Sequence, residues 1–128
     1  MTDNVTLLIS GMTVGVIIFQ TAIVAPSVFE SLSSDDSSIF LRKVFPKFFI
    51  LIGVLGVISN LVAVTNQDDH AVMVSGATVA LAVFAYLLIP MTNKSRDAGN
   101  EKAFKRLHLG SVLLTLTILG VNLSGLVL

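Results

Sequence analysis

Cysteine is absent from this 128-residue chain, which excludes disulfides, thiolate metal sites and thiol catalysis. Charge is also scarce, since Lys, Arg, Asp and Glu make up only 12% of the residues while 54% are hydrophobic. A soluble domain of this length needs more charged residues to cover its surface, so the composition indicates a protein whose solvent is lipid. The formal net charge is zero, which argues against nucleic acid as a partner.

Long apolar stretches without a charged side chain occur four times, at residues 5–25, 48–65, 71–91 and 108–128. Each has about 18 to 21 residues and would reach roughly 27 to 32 Å as a helix, enough to cross a hydrocarbon core of about 30 Å. Backbone groups in lipid must find their partners within the segment, so these stretches are expected to be helices. The sequence therefore predicts an all-α fold, a four-transmembrane-helix bundle that forms one integral membrane domain over residues 1–128.

The basic residues are confined to two of the connecting segments. Segment 26–47 holds three of the eight Lys and Arg residues and segment 92–107 holds the other five. The N-terminal tail and the short turn at 66–70 carry only aspartate as charged residues. The positive-inside rule then places segments 26–47 and 92–107 in the cytoplasm and both termini outside, in the inner or plasma membrane if the protein is bacterial. Since the N-terminus lacks the basic region of a signal peptide, the first stretch is expected to be a retained span.

The two halves of the chain resemble each other. SGMTV at 10–14 matches SGATV at 75–79, and three residue pairs recur at an offset of 64 residues: Pro26 and Pro90, Phe40 and Phe104, Arg42 and Arg106. We interpret this as a tandem duplication of a helical hairpin, with repeats 1–65 and 66–128 related by a pseudo-two-fold axis along the membrane normal. The bundle core is then expected at the junction of the two hairpins.

Uncharged polar residues lie along one face of each predicted span, with His108 leading the face of the last one. They either form hydrogen bonds between helices, as polar residues commonly do in membranes, or line a cavity for a lipophilic molecule. In the second case the candidate pocket residues are Gln20, Asn60, Tyr86, Thr115 and Asn122. The sequence leaves both interpretations open.

Several kinds of chemistry are excluded by what the spans lack. No Asp, Glu, Lys or Arg lies inside a span, which argues against a carboxylate proton relay or an ion pump. The two histidines, His70 and His108, are predicted at opposite membrane faces, so one bundle cannot use both as haem ligands. The sequence shows no metal-ligand cluster, phosphate loop or nucleophile–base pair, so we predict no metal and no cofactor.

Small-residue motifs occupy the face opposite the polar one in two spans. Gly11 and Gly15 form a GxxxG motif in the first span, and Gly120 and Ser124 form its analogue in the last. Such motifs let helices approach closely, either within one chain or between this chain and a second copy or another membrane subunit. Both uses are open from the sequence.

The run SSDDSSIFLRKVF at 33–45 predicts a short interfacial helix, because apolar and basic residues alternate behind a polar start. Asp36 or Ser37 is the expected N-cap. Pro46 is expected to end this helix before the second span begins.

Three motifs resemble the small integral-membrane family typified by transmembrane protein 205. They are APSVF at 25–29, FLRKVFPKFF at 40–49, and FKRLHLGS at 104–111 after the proline that ends span three. The resemblance covers nearly the whole chain and implies a four-span protein whose biochemical activity is undefined.

A more distant similarity is to the anthrone-oxygenase-like membrane family, on Pro90, Asn93, Arg106 and His108. This similarity implies an enzyme that oxidises polycyclic phenols without a bound cofactor. Members of that family tend to carry tryptophan near this element, whereas this chain has none.

Two functions follow from these observations. The first is a non-catalytic accessory or scaffold subunit of a membrane complex, in contact with the lipid bilayer and with other membrane subunits or further copies of the chain. The second is an enzyme or carrier acting on a quinone-, lipid- or polyphenol-like molecule, with Arg106, His108 and Asn93 as candidate catalytic residues at the cytoplasmic mouth of the pocket. We favour the first, without a catalytic activity.

Overall fold

The computed structural model describes residues 3–127, which form four long helical units. The first unit consists of α1 (Asp3–Ile18), a π-helical segment (Phe19–Val24) and α2 (Ala25–Ser31), and the others are α3 (Ser34–Thr65), α4 (Asp69–Asp97) and α5 (Glu101–Val127). Residues 3–127 contain no strand, and each of the four units is long and apolar enough to cross a membrane. The prediction of an all-α, multi-pass membrane bundle is therefore confirmed.

The helical units form a ring in which each packs against two neighbours. The order around the ring is α1, α3, α4, α5 and back to α1. The most extensive contact joins α3 to α4, which belong to different halves of the predicted duplication. The contact between α1 and α3, the two long helices of the first predicted hairpin, is less extensive. The four-helix arrangement is thus established, while the duplication stays a prediction.

The polar segments expected to be loops are mostly helical. Within segment 26–47 only two residues, 32 and 33, separate α2 from α3, and within segment 92–107 only residues 98–100 separate α4 from α5. Hydropathy shows where lipid contact ends, whereas a helix continues until its backbone meets a terminating residue. With 32 residues, α3 is about 48 Å long and projects well beyond a hydrocarbon core of about 30 Å.

The start of α3 differs from the sequence prediction. The N-cap is Ser33, whose Oγ accepts a hydrogen bond from Asp36 N at 3.2 Å, while Ser37 is buried and its Oγ donates to Val28 O at 3.4 Å. Pro46 lies inside α3 and does not end it, so the predicted short interfacial helix is wrong. Proline already has a helical φ, and the helix continues with one backbone hydrogen bond fewer at this position.

A π-helical segment interrupts the first unit. It ends where Ala25 N donates to Gln20 O, a bond that spans five residues instead of four. Pro26 follows immediately, at the start of α2. A proline ring clashes with the carbonyl four residues earlier in an α-helix, so the wider turn gives it room.

Charge is separated between the two ends of the bundle. All eight Lys and Arg residues lie at the start of α3, the end of α4 or the start of α5, which meet at one end, here called the basic end. There Arg42 of α3 forms an ion pair with Asp97 of α4, in which Nη1 donates to Oδ2 at 3.2 Å. The opposite end carries Asp68 and Asp69 at the turn between α3 and α4.

Helix α3 approaches α4 closely at Gly56. A Cβ atom at Gly56 would lie 2.8 Å from Val79 Cγ2 and 3.3 Å from Val79 N. One turn away, a Cβ at Gly53 would meet Ala82 Cβ at 3.9 Å, an ordinary contact. The apolar core lies on the basic side of this contact and contains Ile17, Phe48, Phe49, Ile52, Ala82, Ala85 and Ile118. Gly56 therefore sets the separation of the two most extensively packed helices.

Replacing Gly56 tests this role. Gly56→Ala is expected to lower the free energy of unfolding by about 1–3 kcal/mol, because the added methyl group overpacks against the side chain and backbone of Val79. Unfolding by SDS in mixed micelles, followed by circular dichroism, measures the change. Gly120→Ala is the matched control, since a Cβ there meets nothing within 4 Å. Equal stability of the two variants would contradict the assignment.

Candidate functional site

Two asparagines inside the bundle join neighbouring helices through their side chains. Asn60 Nδ2 donates to Ser75 Oγ at 3.0 Å, which connects α3 to α4. Asn122 Nδ2 donates to Thr78 Oγ1 at 2.9 Å and to Ile118 O at 2.9 Å, which connects α5 to α4. Ser75 and Thr78 are one turn apart, so both connections lie at nearly the same depth, on the side of the core away from the basic end.

Several buried hydroxyl groups donate to backbone carbonyls of their own helices. Four of them bond to the carbonyl four residues earlier: Thr13 to Ile9 O at 2.9 Å, Ser75 to Ala71 O at 2.6 Å, Thr78 to Val74 O at 2.8 Å and Thr115 to Ser111 O at 2.8 Å. A hydroxyl in lipid commonly finds its partner in this way. Asn60 and Asn122 therefore join helices, whereas the hydroxyl of Thr115 is paired within its own helix.

Gln20 differs from the other polar residues of the interior. Its side chain is 6% exposed, and its Nε2 has no hydrogen-bond partner. The two other buried atoms of this kind in residues 3–127, Arg42 Nε and Asn66 Nδ2, lie at the two ends of the bundle. Gln20 also lies in the π-helical segment, a backbone feature that frequently marks functional sites. A buried amide without a partner is uncommon and calls for an explanation.

Tyr86 does not face the interior, contrary to the prediction. Its side chain is 42% exposed and lines a groove on the outer surface between α3 and α4. Thr78, on the same helix, is buried, and Tyr86 lies eight residues farther along. At about 100° per residue this places Tyr86 roughly 80° away from the inward direction.

His108 is exposed and does not lead an inward polar face, so that expectation is also wrong. Its imidazole stacks on Phe104, with ring centroids 5.9 Å apart and planes at 9°, and the guanidinium of Arg96 lies over the Phe104 ring at 5.5 Å. His108 lies within the first ten residues of α5, 101–110, none of which is buried, whereas Asn122 lies two heptads farther into the bundle and is buried.

The three candidate catalytic residues lie near the basic end without hydrogen bonds to one another. Asn93 is half-buried near the end of α4, while Arg106 and His108 are exposed near the start of α5. No hydrogen bond within residues 3–127 links these three side chains. Their catalytic role stays a prediction.

The small-residue motifs face away from the rest of the chain. A Cβ atom added at Gly11, Gly15 or Gly120 would meet nothing within 4 Å. Ser124 is half-buried, and its Oγ donates to Val121 O at 2.6 Å. The three glycines therefore leave open surface on α1 and α5, and they are not positions of close helix packing within the described part of the chain.

Two cavities are present on the surface of the bundle. The α3–α4 groove, which Tyr86 lines, has a volume of about 360 Å³ and apolar walls. A smaller pocket of about 180 Å³ lies near the aspartate end and has polar lining from Thr6, Ser10, Ser59, Asp68 and His70. Neither cavity is lined by Gln20, Asn60, Thr115 or Asn122.

Metal ligation is not supported by any grouping of side chains in residues 3–127. Three or more His, Asp or Glu residues do not come together there in a way that could hold a metal ion. His70 lies at the start of α4 and His108 near the start of α5, at opposite ends of the bundle. The expectation of no cofactor stays a prediction.

Sequence comparison adds one finding. A family model described as a domain of unknown function (DUF4149) matches residues 8–101, from within α1 to the start of α5. No curated protein and no solved structure matches the chain. The resemblances to the transmembrane protein 205 family and to anthrone oxygenases thus stay predictions without support from a named relative.

Because the amide of Gln20 is buried without a partner, replacing it with an apolar side chain is expected to stabilise the protein. Gln20→Met keeps the length of the side chain and removes the buried donor, so the free energy of unfolding is expected to rise by about 1–3 kcal/mol in detergent. Asn122→Leu is the matched control, because its amide is paired, and it is expected to lower stability by roughly 0.6 kcal/mol. SDS unfolding measures both. A loss of stability in Gln20→Met would show that the amide has a partner.

Proposed function

This chain belongs to the DUF4149 family, and from that premise we propose that it is a non-catalytic accessory or scaffold subunit of a membrane protein complex. The observation that carries the proposal is the contrast between its interior and its surface. Inside, Asn60 and Asn122 hold neighbouring helices together. On the surface, Gly11, Gly15 and Gly120 leave shallow positions with nothing of this chain against them.

The interior of the bundle supports a structural role. The paired amides and the hydroxyl groups that bond to their own helices are satisfied within the protein, as in a packed bundle. A catalytic centre needs groups positioned to act on a substrate, and the three candidates at the basic end form no such constellation. Helix association accounts for the paired polar residues, among them Asn60, Thr78 and Asn122.

The glycine surface of α1 supports the partner part of the proposal. Gly11 and Gly15 are one turn apart, in the middle of a span with strongly apolar neighbours. In lipid, helix association depends on close van der Waals contact, and small residues let another backbone approach. The partner is therefore a transmembrane helix, from another subunit or from a second copy of this chain.

Substitution of this surface tests the proposal. Gly11→Leu and Gly15→Leu are expected to release the partner chains that copurify with the tagged protein in mild detergent, because leucine blocks backbone approach without touching this chain. Native mass spectrometry identifies the released chains. Ala80→Leu is the matched control, since Ala80 is an exposed small residue on a different helix, and it is expected to keep the partners.

Two outcomes would contradict the accessory proposal. One is a monomeric wild-type protein after chemical cross-linking in native membranes. The other is retention of all partners by both glycine variants.

The second candidate function is a carrier or enzyme for a lipophilic molecule, and Gln20 is the observation that favours it. A buried amide donor in a π-helical segment suits a carbonyl or quinone oxygen that enters the bundle. A lipophilic molecule that copurifies with the wild-type chain and is lost from Gln20→Met would replace the first proposal with this one.

We further propose that the basic end of the bundle lies in the cytoplasm and that the two halves arose by duplication. The support for the orientation is the placement of all eight Lys and Arg residues at one end. A reporter that is active only outside the cytoplasm is expected to be active when fused to the C-terminus and inactive when inserted at residues 98–100. The reverse pattern would contradict the orientation.

A further inference from the structure

The α3–α4 groove exists because two small residues face each other across the helix contact. Gly53 of α3 and Ala82 of α4 form its floor, where a Cβ on Gly53 would be 3.9 Å from Ala82 Cβ. Exposed Ile50, Val54 and Val83 form its walls. Gly56, one turn farther along α3, lets the two helices pack closely. The groove is therefore a product of the way α3 and α4 pack in the folded protein.

The position of the groove along the bundle matches one leaflet of a membrane. On α3 the lining runs from Phe49 to Ile58, which is about 13 Å along the helix axis. Half of a hydrocarbon core of about 30 Å is about 15 Å. The lining begins two residues after Lys47, so the groove extends from the basic end to about the middle of the span.

Two lysines extend the groove toward the polar surface of the membrane. Positions 43, 47, 50 and 54 are spaced by four, three and four residues, which places Lys43 and Lys47 on the helix face that carries Ile50 and Val54. Both lysines are exposed. The one ion pair within residues 3–127 joins Arg42 to Asp97, so neither lysine has a carboxylate partner in the described part of the chain. The cations of Lys43 and Lys47 are therefore available to an external anion.

We propose that the α3–α4 groove binds an anionic phospholipid from the leaflet at the basic end, with one acyl chain in the groove and the phosphate at Lys47 and Lys43. The apolar walls suit the chain, and the volume of about 360 Å³ falls within the range of roughly 300–1,000 Å³ for small-molecule sites. Tyr86, on the opposite wall, can donate its hydroxyl to an oxygen of the lipid.

The charge at the end of the groove favours a lipid over a protein helix as the occupant. A second helix would cover the apolar walls equally well, but it would also have to accommodate two exposed cations beside them. An anionic phospholipid supplies an apolar acyl chain for the walls of the groove and a phosphate for the lysines. The phosphate and the end of the acyl chain are separated by about the thickness of one leaflet. Each lysine near an anionic lipid is expected to strengthen binding about fivefold.

Photolabelling of the purified chain in nanodiscs of phosphatidylcholine tests the proposal. Trace phosphatidylglycerol and trace phosphatidylcholine, each with a diazirine on the acyl chain, are the two probes. Phosphatidylglycerol is expected to label peptides of the groove, residues 49–58 and 79–86, several-fold more than phosphatidylcholine does. Because only the isolated chain is used, the result is independent of the proposed accessory role.

Two sets of variants separate the contributions of chain and headgroup. Gly53→Leu fills the groove and is expected to reduce labelling of these peptides by both probes several-fold, whereas the matched control Gly120→Leu leaves it unchanged. Lys43→Gln and Lys47→Gln are each expected to reduce phosphatidylglycerol labelling about fivefold and to leave phosphatidylcholine labelling as it was. Circular dichroism verifies that each variant is folded.

Three results would overturn the proposal. The first is equal labelling by the two lipids in the wild-type chain, which indicates ordinary bilayer contact. The second is undiminished phosphatidylglycerol labelling in both lysine variants. The third is a groove that cross-links to a second protein chain in place of lipid.

Discussion

The contact that the bundle depends on is the close approach of α3 to α4 at Gly56. In lipid the hydrophobic effect does not drive helices together, because acyl chains are as apolar as the side chains they would replace. Association must come from contacts that lipid cannot make. The close approach of two helix backbones at a glycine is one such contact. The hydrogen bond from Asn60 to Ser75 lies one turn farther along the α3–α4 contact and adds a directional interaction to the close packing. The small residues that allow this contact also leave space at its outer edge, and that space is the α3–α4 groove.

The other two helical units join the bundle through specific contacts of their own. Asn122 joins α5 to Thr78, and Gly125 lets the same helix approach both Val74 and Ser10, which brings α1 into the ring. These contacts lie toward the aspartate end. Toward the basic end, Phe48 and Phe49 of α3 pack in the apolar core, and Arg42 and Asp97 join α3 to α4 beyond the apolar span. The paired polar residues of the interior thus connect neighbouring helices.

The number of helices and the charge asymmetry were predictable from the sequence, because both depend on composition averaged over whole segments. Helix ends and side-chain directions were not, because they depend on single residues. Pro46 looked like a terminator, yet a helix can lose one backbone bond and continue. Tyr86 and His108 looked inward because they share a helix with inward polar residues. Tyr86, however, lies about 80° from the direction of Thr78, and His108 lies in the first ten residues of α5, none of which is buried. The groove was missed because it requires the register between α3 and α4, which no single segment contains.

The unpartnered amide of Gln20 had no signal in the sequence, since it depends on the π-helical segment. The matching half of the chain shows that proline alone does not produce this segment. Pro90, which corresponds to Pro26, lies inside the regular helix α4. The residue that corresponds to Gln20 at the same offset is Phe84, which is 59% exposed. The two positions therefore differ in backbone and in polarity. A packed bundle needs neither a π-helical segment nor a buried amide at this position. Gln20 is therefore the residue at which a role beyond helix assembly is to be sought.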